Sequence, residues 1–172
     1  MADQTPPERI EVSRAIAAEP AAIFGVLRDP SGHIAIDASG MLMWASGSPA
    51  SAAGDTFVMH MDRDALRDID IGEYQVTVTF VTYEQDREIA WTVGRSADER
   101  FGHVYGYRLE PIPEGTLVTQ YYDWSQISGS LKERGVFPVI PESALRATLG
   151  ILARTVAPGA NRPGATRAPS VT

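Results

Sequence analysis

Two sets of residues in this chain have the types and spacing for proton chemistry. His33 and Asp37 stand four apart in the stretch RDPSGHIAIDASG (Arg28–Gly40), so on a helix they would share a face. In HVYGYRLEPI, period-two alternation puts His103, Tyr105, Tyr107 and Leu109 on one face; in TLVTQYYDWSQ it groups Leu117, Tyr121 and Asp123. A histidine near a carboxylate can take and return a proton, and a tyrosine can donate to a developing oxyanion. His103, Asp123 and Tyr107 are therefore the candidate catalytic residues. Arg14 interrupts an apolar face, where it would meet an acidic ligand or a buried carboxylate, unless a shifted register exposes it.

A simpler role stands beside each. His103 at a strand end would be exposed, and Asp123 would anchor a loop. Asp37 precedes Ala38, Ser39 and Gly40 and is a natural turn former. His33 and Asp37 are expected at the rim of a site, not as buried catalysts. His60, opposite Phe57, Met59 and Met61 in alternation, is expected to face solvent.

Other chemistries lack their residues. The chain contains no cysteine, no Gly-rich phosphate loop, no GxSxG and no HExxH. The acidic run DRDALRDIDIGE (Asp62–Glu73) breaks calcium-loop spacing at Leu66 and reads as a solvated loop. Histidines 33, 60 and 103 have no metal-ligand spacing, so no metal and no cofactor are expected. A net charge of −7 over 172 residues disfavours nucleic acid and anionic membrane surfaces. No apolar run approaches the roughly 20 residues of a membrane span, and the first residues do not resemble a secretory signal. A cytoplasmic protein is expected; the oligomeric state is left open.

The elements that position these residues follow from hydropathy period. RIEVSRAIA alternates as a first strand. EPAAIFGVLRDP reads as a helix opened by Pro20 and closed by Asp29-Pro30, and SGHIAID as a second short helix or an irregular turn. Six further strands follow: MLMWAS, TFVMHMD, EYQVTVTFVTYEQD, REIAWTVGR, HVYGYRLEPI and TLVTQYYDWSQ. Their close spacing and turn residues call for an antiparallel meander. PESALRATLGILARTVAP carries Leu145, Leu149, Leu152 and Val156 at helical spacing, a stripe wide enough to be gripped by a curved sheet. Gly150 within it lowers helix propensity, which close packing would explain. The polar, Pro-rich tails 1–8 and 158–172 are expected to be disordered around one domain, 9–157.

This order resembles the helix-grip fold of the START-like SRPBCC superfamily, polyketide cyclase/dehydrase-type branch. The resemblance rests on the opening IEVSRAIAAEPAAIFGVLRDP, on Tyr122-Asp123-Trp124-Ser125 and on the closing FPVIPESALRATLGILA. It implies an α+β fold in which a seven-stranded curved antiparallel sheet, with two short helices after its first strand, wraps a long C-terminal helix. It also implies a cavity between sheet and helix for a small apolar molecule, lipid- or polyketide-like. Met43, Phe57, Met59, Trp91, Tyr105, Tyr107, Tyr121, Leu149 and Leu152 are then the candidate ligand-binding residues, Met filling irregular space and Tyr offering a polar tip. The segment SQISGSLKERGVFPVIP would form a lid or an edge of the mouth. A cyclase or dehydrase using the same cavity, and a protein-interaction module, are the other functions the resemblance allows; a buried His103–Asp123 or His33–Asp37 couple would favour the enzyme.

Overall fold

A computed structural model describes residues 6–164. Strand β1 (Arg9–Ile16) leads into α1 (Pro20–Leu27) and α2 (Pro30–Ile36). There follow β2 (Leu42–Ser46), β3 (Thr56–Asp62), a 3-10 turn (Arg63–Ala65), β4 (Glu73–Glu84), β5 (Glu88–Gly94), β6 (Arg100–Ile112) and β7 (Gly115–Asp123). Helices α3 (Gly129–Glu133) and α4 (Glu142–Val156) end the fold. All seven strands pair antiparallel in the order β1-β7-β6-β5-β4-β3-β2, which leaves β1 and β2 at the edges. The sheet curves over α4 in the expected helix-grip arrangement. Register shifts at Leu42/Trp44, Phe80/Thr82 and Thr92/Gly94 interrupt the pairing, and such bulges bend strands.

Local chemistry explains the helical elements. Pro20 and Pro30 sit in the first turns of α1 and α2, where a missing N–H costs nothing. Asp29 caps α2 by accepting from the Ser31 backbone N–H at 2.9 Å. Ile23, Phe24 and Leu27 of α1 and Leu145, Leu149 and Leu152 of α4 are completely or almost completely buried in the core shared with Val12, Ile16 and Val118. Gly32 lets the two short helices meet, since a Cβ there would lie 1.9 Å from the Val26 carbonyl oxygen. Gly150 has no such neighbour. A Cβ would meet only an Arg14 guanidinium nitrogen, at an ordinary 3.9 Å, so close packing does not explain this glycine.

The ordered unit reaches slightly beyond the expected start. The Glu8 carbonyl accepts from the Trp124 N–H at 2.9 Å, and its carboxylate accepts from Lys132 Nζ at 2.7 and 2.9 Å. Of the tails expected at 1–8 and 158–172, residues 1–5 and 165–172 lie outside the described residues. Among the described residues no helix is long and apolar enough to cross a membrane, and no group of three or more His, Asp or Glu is placed to hold a metal ion.

Candidate functional site

A cavity of about 660 Å³ lies under the concave face of the sheet. Its inner end is formed by His33, Ile36, Trp91, Tyr107, Gln120 and Thr148. Met59, Met61, Val76, Val78, Val93 and Tyr105 carry its wall along β3 to β6, and His103 stands nearer the opening. The segment between β7 and α4 closes over it with Leu131, Val136, Phe137, Val139 and Ile140, the position expected for a lid or mouth edge. Exposed Ile71, Glu99, Arg100 and Arg134 mark where it opens.

The structure brings together part of what the sequence proposed. Met59, Trp91, Tyr105 and Tyr107 are on the cavity wall. Phe57 is buried but one layer behind it, edge-on to His33 at 5.1 Å. Leu149 and Leu152 are also buried behind the wall, and α4 reaches the cavity through Thr148. Met43 is 52% exposed on the other side of β2. The register shift at Leu42/Trp44 breaks the alternation there, so that Met41 and Leu42 face the cavity and Met43 does not.

The two acid–base couples do not form. In β7 the inward residues are Val118, Gln120 and Tyr122; Tyr121 and Asp123 lie on the convex side, opposite to the expected face. Tyr121 donates to Glu88 Oε1 at 2.8 Å, with the Arg9 guanidinium 4.5 Å from its ring centroid. Asp123 accepts from Arg9 at 3.1 Å and from the Ser125 hydroxyl and N–H. Burial works to raise its carboxyl pKa, but the Ser125 and Arg9 bonds outweigh it and the carboxyl is held low. His33 is a core residue, not a rim residue. Its Nε2–H donates to the Leu27 carbonyl at 2.7 Å, its ring lies 4.3 Å from Trp91, and burial holds its pKa near 4. Asp37 is the expected turn former: it accepts from Ser39 N–H and hydroxyl and from Leu42 N–H. His60 lies outside the cavity, stacked on Trp44 at 3.4 Å.

His103 is buried, not exposed at a strand end, and is the centre of a polar cluster. Its Nδ1 lies 3.0 Å from the Tyr122 hydroxyl, which also accepts from the Val139 N–H at 3.3 Å. The Tyr122 and Tyr105 rings stack at 4.2 Å, and Phe137 meets His103 edge-on at 5.0 Å. Burial, with the Arg63 charge adding to it, holds the His103 pKa near 4; burial pushes Tyr122 up to about 12. Gly102 precedes His103 at φ +100°, and a Cβ there would lie 2.5 Å from the Gln126 carbonyl oxygen, so glycine is required where the β7–α3 connection crosses β6.

Arg63 and Gln120 line the cavity, and Tyr122 lies behind His103; none of the three stands out in the sequence as a site residue. Arg63 is 6% exposed, and its Nε and Nη2 donate to the Asp68 carboxylate at 2.8 and 2.7 Å. The acidic run is therefore not simply a solvated loop: Arg63, Ile69 and Ile71 line the cavity. Alternation through Phe57, Met59 and Met61 already pointed residue 63 inward. Gln120 and Tyr122 were signalled equally by Val118, which shares their face.

A family model described as polyketide cyclase / dehydrase and lipid transport matches residues 7–157. No curated protein matches the sequence. Among solved structures, protein CV1439 from Chromobacterium violaceum is similar at 15% identity, with TM-score 0.63, 89% of this chain and 99% of that one covered. Protein MLL2253 from Mesorhizobium loti aligns at 16% identity and TM-score 0.58, over 89% and 99%. The AHSA1-like protein from Aeromonas hydrophila aligns at 19% and 0.55, over 86% and 91%. At these identities the likeness shows the fold.

Proposed function

The chain belongs to the polyketide cyclase / dehydrase and lipid transport family, and from that premise we propose that it binds a small hydrophobic molecule, lipid- or polyketide-like, between the sheet and the β7–α4 segment. One observation carries the reading: a cavity of about 660 Å³ whose wall is mostly Met, Val, Ile, Leu and aromatic side chains, with His103 and Gln120 among them and charged side chains such as Glu99, Arg100 and Arg134 where it opens. That volume and lining are those of small-molecule sites, where apolar area supplies affinity and placed polar groups supply orientation.

A cyclase or dehydrase would need a proton acceptor facing the ligand. The carboxylate of Asp37 is engaged by Ser39 and Leu42, and Asp123 lies on the far side of the sheet. His33 donates its Nε2–H to the Leu27 carbonyl and keeps its lone pair on Nδ1, but burial holds its pKa near 4, which makes it a weak base. The two engaged carboxylates and the weakened histidine support binding over proton abstraction. Titration with diphenylhexatriene, whose emission rises in apolar surroundings, tests the reading. Saturable enhancement at one dye per chain is expected. Enhancement that never saturates, or none, would contradict it.

A further inference from the structure

Among the described residues, four buried side-chain atoms have no hydrogen-bond partner: Arg14 Nε, Thr79 Oγ1, His103 Nε2 and Gln120 Oε1. Leaving such groups unpaired is costly, so those on a cavity wall point to what the cavity holds. His103 and Gln120 are both on that wall.

The proton on His103 follows from its other nitrogen. The Tyr122 hydroxyl is fully buried and has one proton; His103 Nδ1 at 3.0 Å is the acceptor at hydrogen-bond distance, the hydroxyl of the stacked Tyr105 lies beside it, and the Val139 N–H at 3.3 Å is a donor. If Nδ1 carried the imidazole proton, the phenol proton would be left to the Tyr105 hydroxyl instead of the imidazole, and the buried Nε2 lone pair would be unmatched. If the phenol donates to Nδ1, the pair is satisfied and the imidazole proton sits on Nε2. The group left for a ligand is then a neutral N–H donor, not a lone pair. The Arg63 guanidinium beside this cluster is already held by Asp68, so the ligand oxygen need not be anionic.

We propose that His103, fixed by Tyr122, presents its Nε2–H to the cavity and that the ligand is an apolar molecule with a carbonyl oxygen placed against it. This rests on the ligand-binding reading above and makes His103 an orienting donor, not a general base. Gln120 pairs with Tyr107, four residues along β6 from His103, about 13 Å at ~3.3 Å per residue. Its amide can match either a donor or an acceptor, so a second oxygen at about that spacing finds a partner toward the inner end.

The test uses 6-propionyl-2-(dimethylamino)naphthalene, a ketone whose emission moves to the red when its carbonyl accepts a hydrogen bond. Diphenylhexatriene, which has no acceptor, is the control. With the ketone, His103→Leu is expected to show bluer emission and about five- to tenfold weaker binding than wild type, the loss of one hydrogen bond. His103→Gln, which keeps a donor, recovers part of both. Diphenylhexatriene affinity on the same three proteins is the reference: the ratio of ketone to diphenylhexatriene affinity is expected to fall in His103→Leu and to recover in part in His103→Gln. Equal ketone emission and affinity in wild type and His103→Leu would overturn the proposal while leaving apolar binding intact; failure of diphenylhexatriene to bind wild type overturns both. Nitrogen-15 shifts of His103 give a reading on the unaltered protein: a proton on Nε2 is expected, and one on Nδ1 overturns the proposal.

Discussion

Tyr121 and Tyr122 are neighbours on β7, and the strand pleat sends them to opposite faces of the sheet. Outside, Tyr121 lies across Gly106, where a Cβ would come within 2.1 Å of its ring, and its hydroxyl is held by Glu88 while Arg9 and Arg108 cover its face. Inside, Tyr122 stacks on Tyr105 and meets His103, among groups whose charged forms burial disfavours. The convex side is a brace of exposed charges around an aromatic ring. The concave side is a largely apolar wall in which two buried polar atoms, His103 Nε2 and Gln120 Oε1, have no partner. Residue type does not separate the two; the face does.

The largest expected difference comes from truncating each ring. Tyr122→Ala should cost about 3–5 kcal/mol, as removal of a fully buried aromatic does, and Tyr121→Ala roughly 1–2, because solvent can fill the space it leaves. Urea unfolding measures both; equal losses would mean the two faces are not different in kind. Acid should separate them next. His33 and His103 have folded pKa values near 4 against 6.5 in the unfolded chain, so the unfolded state binds more protons between those values. Stability is therefore full near pH 7 and is lost as pH falls from about 6.5 to about 4, by about 3 kcal/mol per histidine. On the convex side the sign is the same and the window is lower: Asp123 is also held low, so its contribution is lost only as pH falls below the usual carboxylate value. Unfolding curves flat from pH 7 to 4.5 would contradict the burial of the two histidines.

Gly150→Ala, on neither face, should raise stability by up to about 1 kcal/mol, because a Cβ has room and helix propensity improves. A lower melting temperature would mean Arg14 needs that space. The smallest effect is expected for Arg9→Ala. Its ion pairs with Glu11 and Asp123 are partly exposed, and together with the contact to Tyr121 they should contribute less than about 1 kcal/mol, falling with added salt.

The same comparison explains what the sequence could and could not tell. The strands and the long apolar helix were legible because alternation and helical period persist over many residues, as in β4 and α4; that the sheet wraps the helix followed from the family resemblance. The inward face of β6 was legible because His103, Tyr105, Tyr107 and Leu109 end on a plain hydrophobe. On β7 both faces carry an aliphatic and a tyrosine, Leu117 with Tyr121 and Val118 with Tyr122, so hydropathy did not choose between them. The pairing of Tyr105 with Tyr122 and of Val104 with Asp123 does. Met43 was misplaced because a bulge is a one-residue event that no periodicity records. Arg63 was hidden in a run of charges, although its bond to Asp68 is what lets it turn inward. The cavity itself belongs to none of these elements. It is the space left when α4 packs at one end of the sheet and the β7–α4 segment covers the other.

The methionine methyl groups test the central claim most directly. Met41, Met59 and Met61 line the cavity, and Met43 lies outside it. In a carbon-13 methyl spectrum titrated with 6-propionyl-2-(dimethylamino)naphthalene, the signals of Met41, Met59 and Met61 should move together and saturate while that of Met43 stays in place. Movement of Met43 alone, or of none of the four, would contradict ligand binding beneath the concave face.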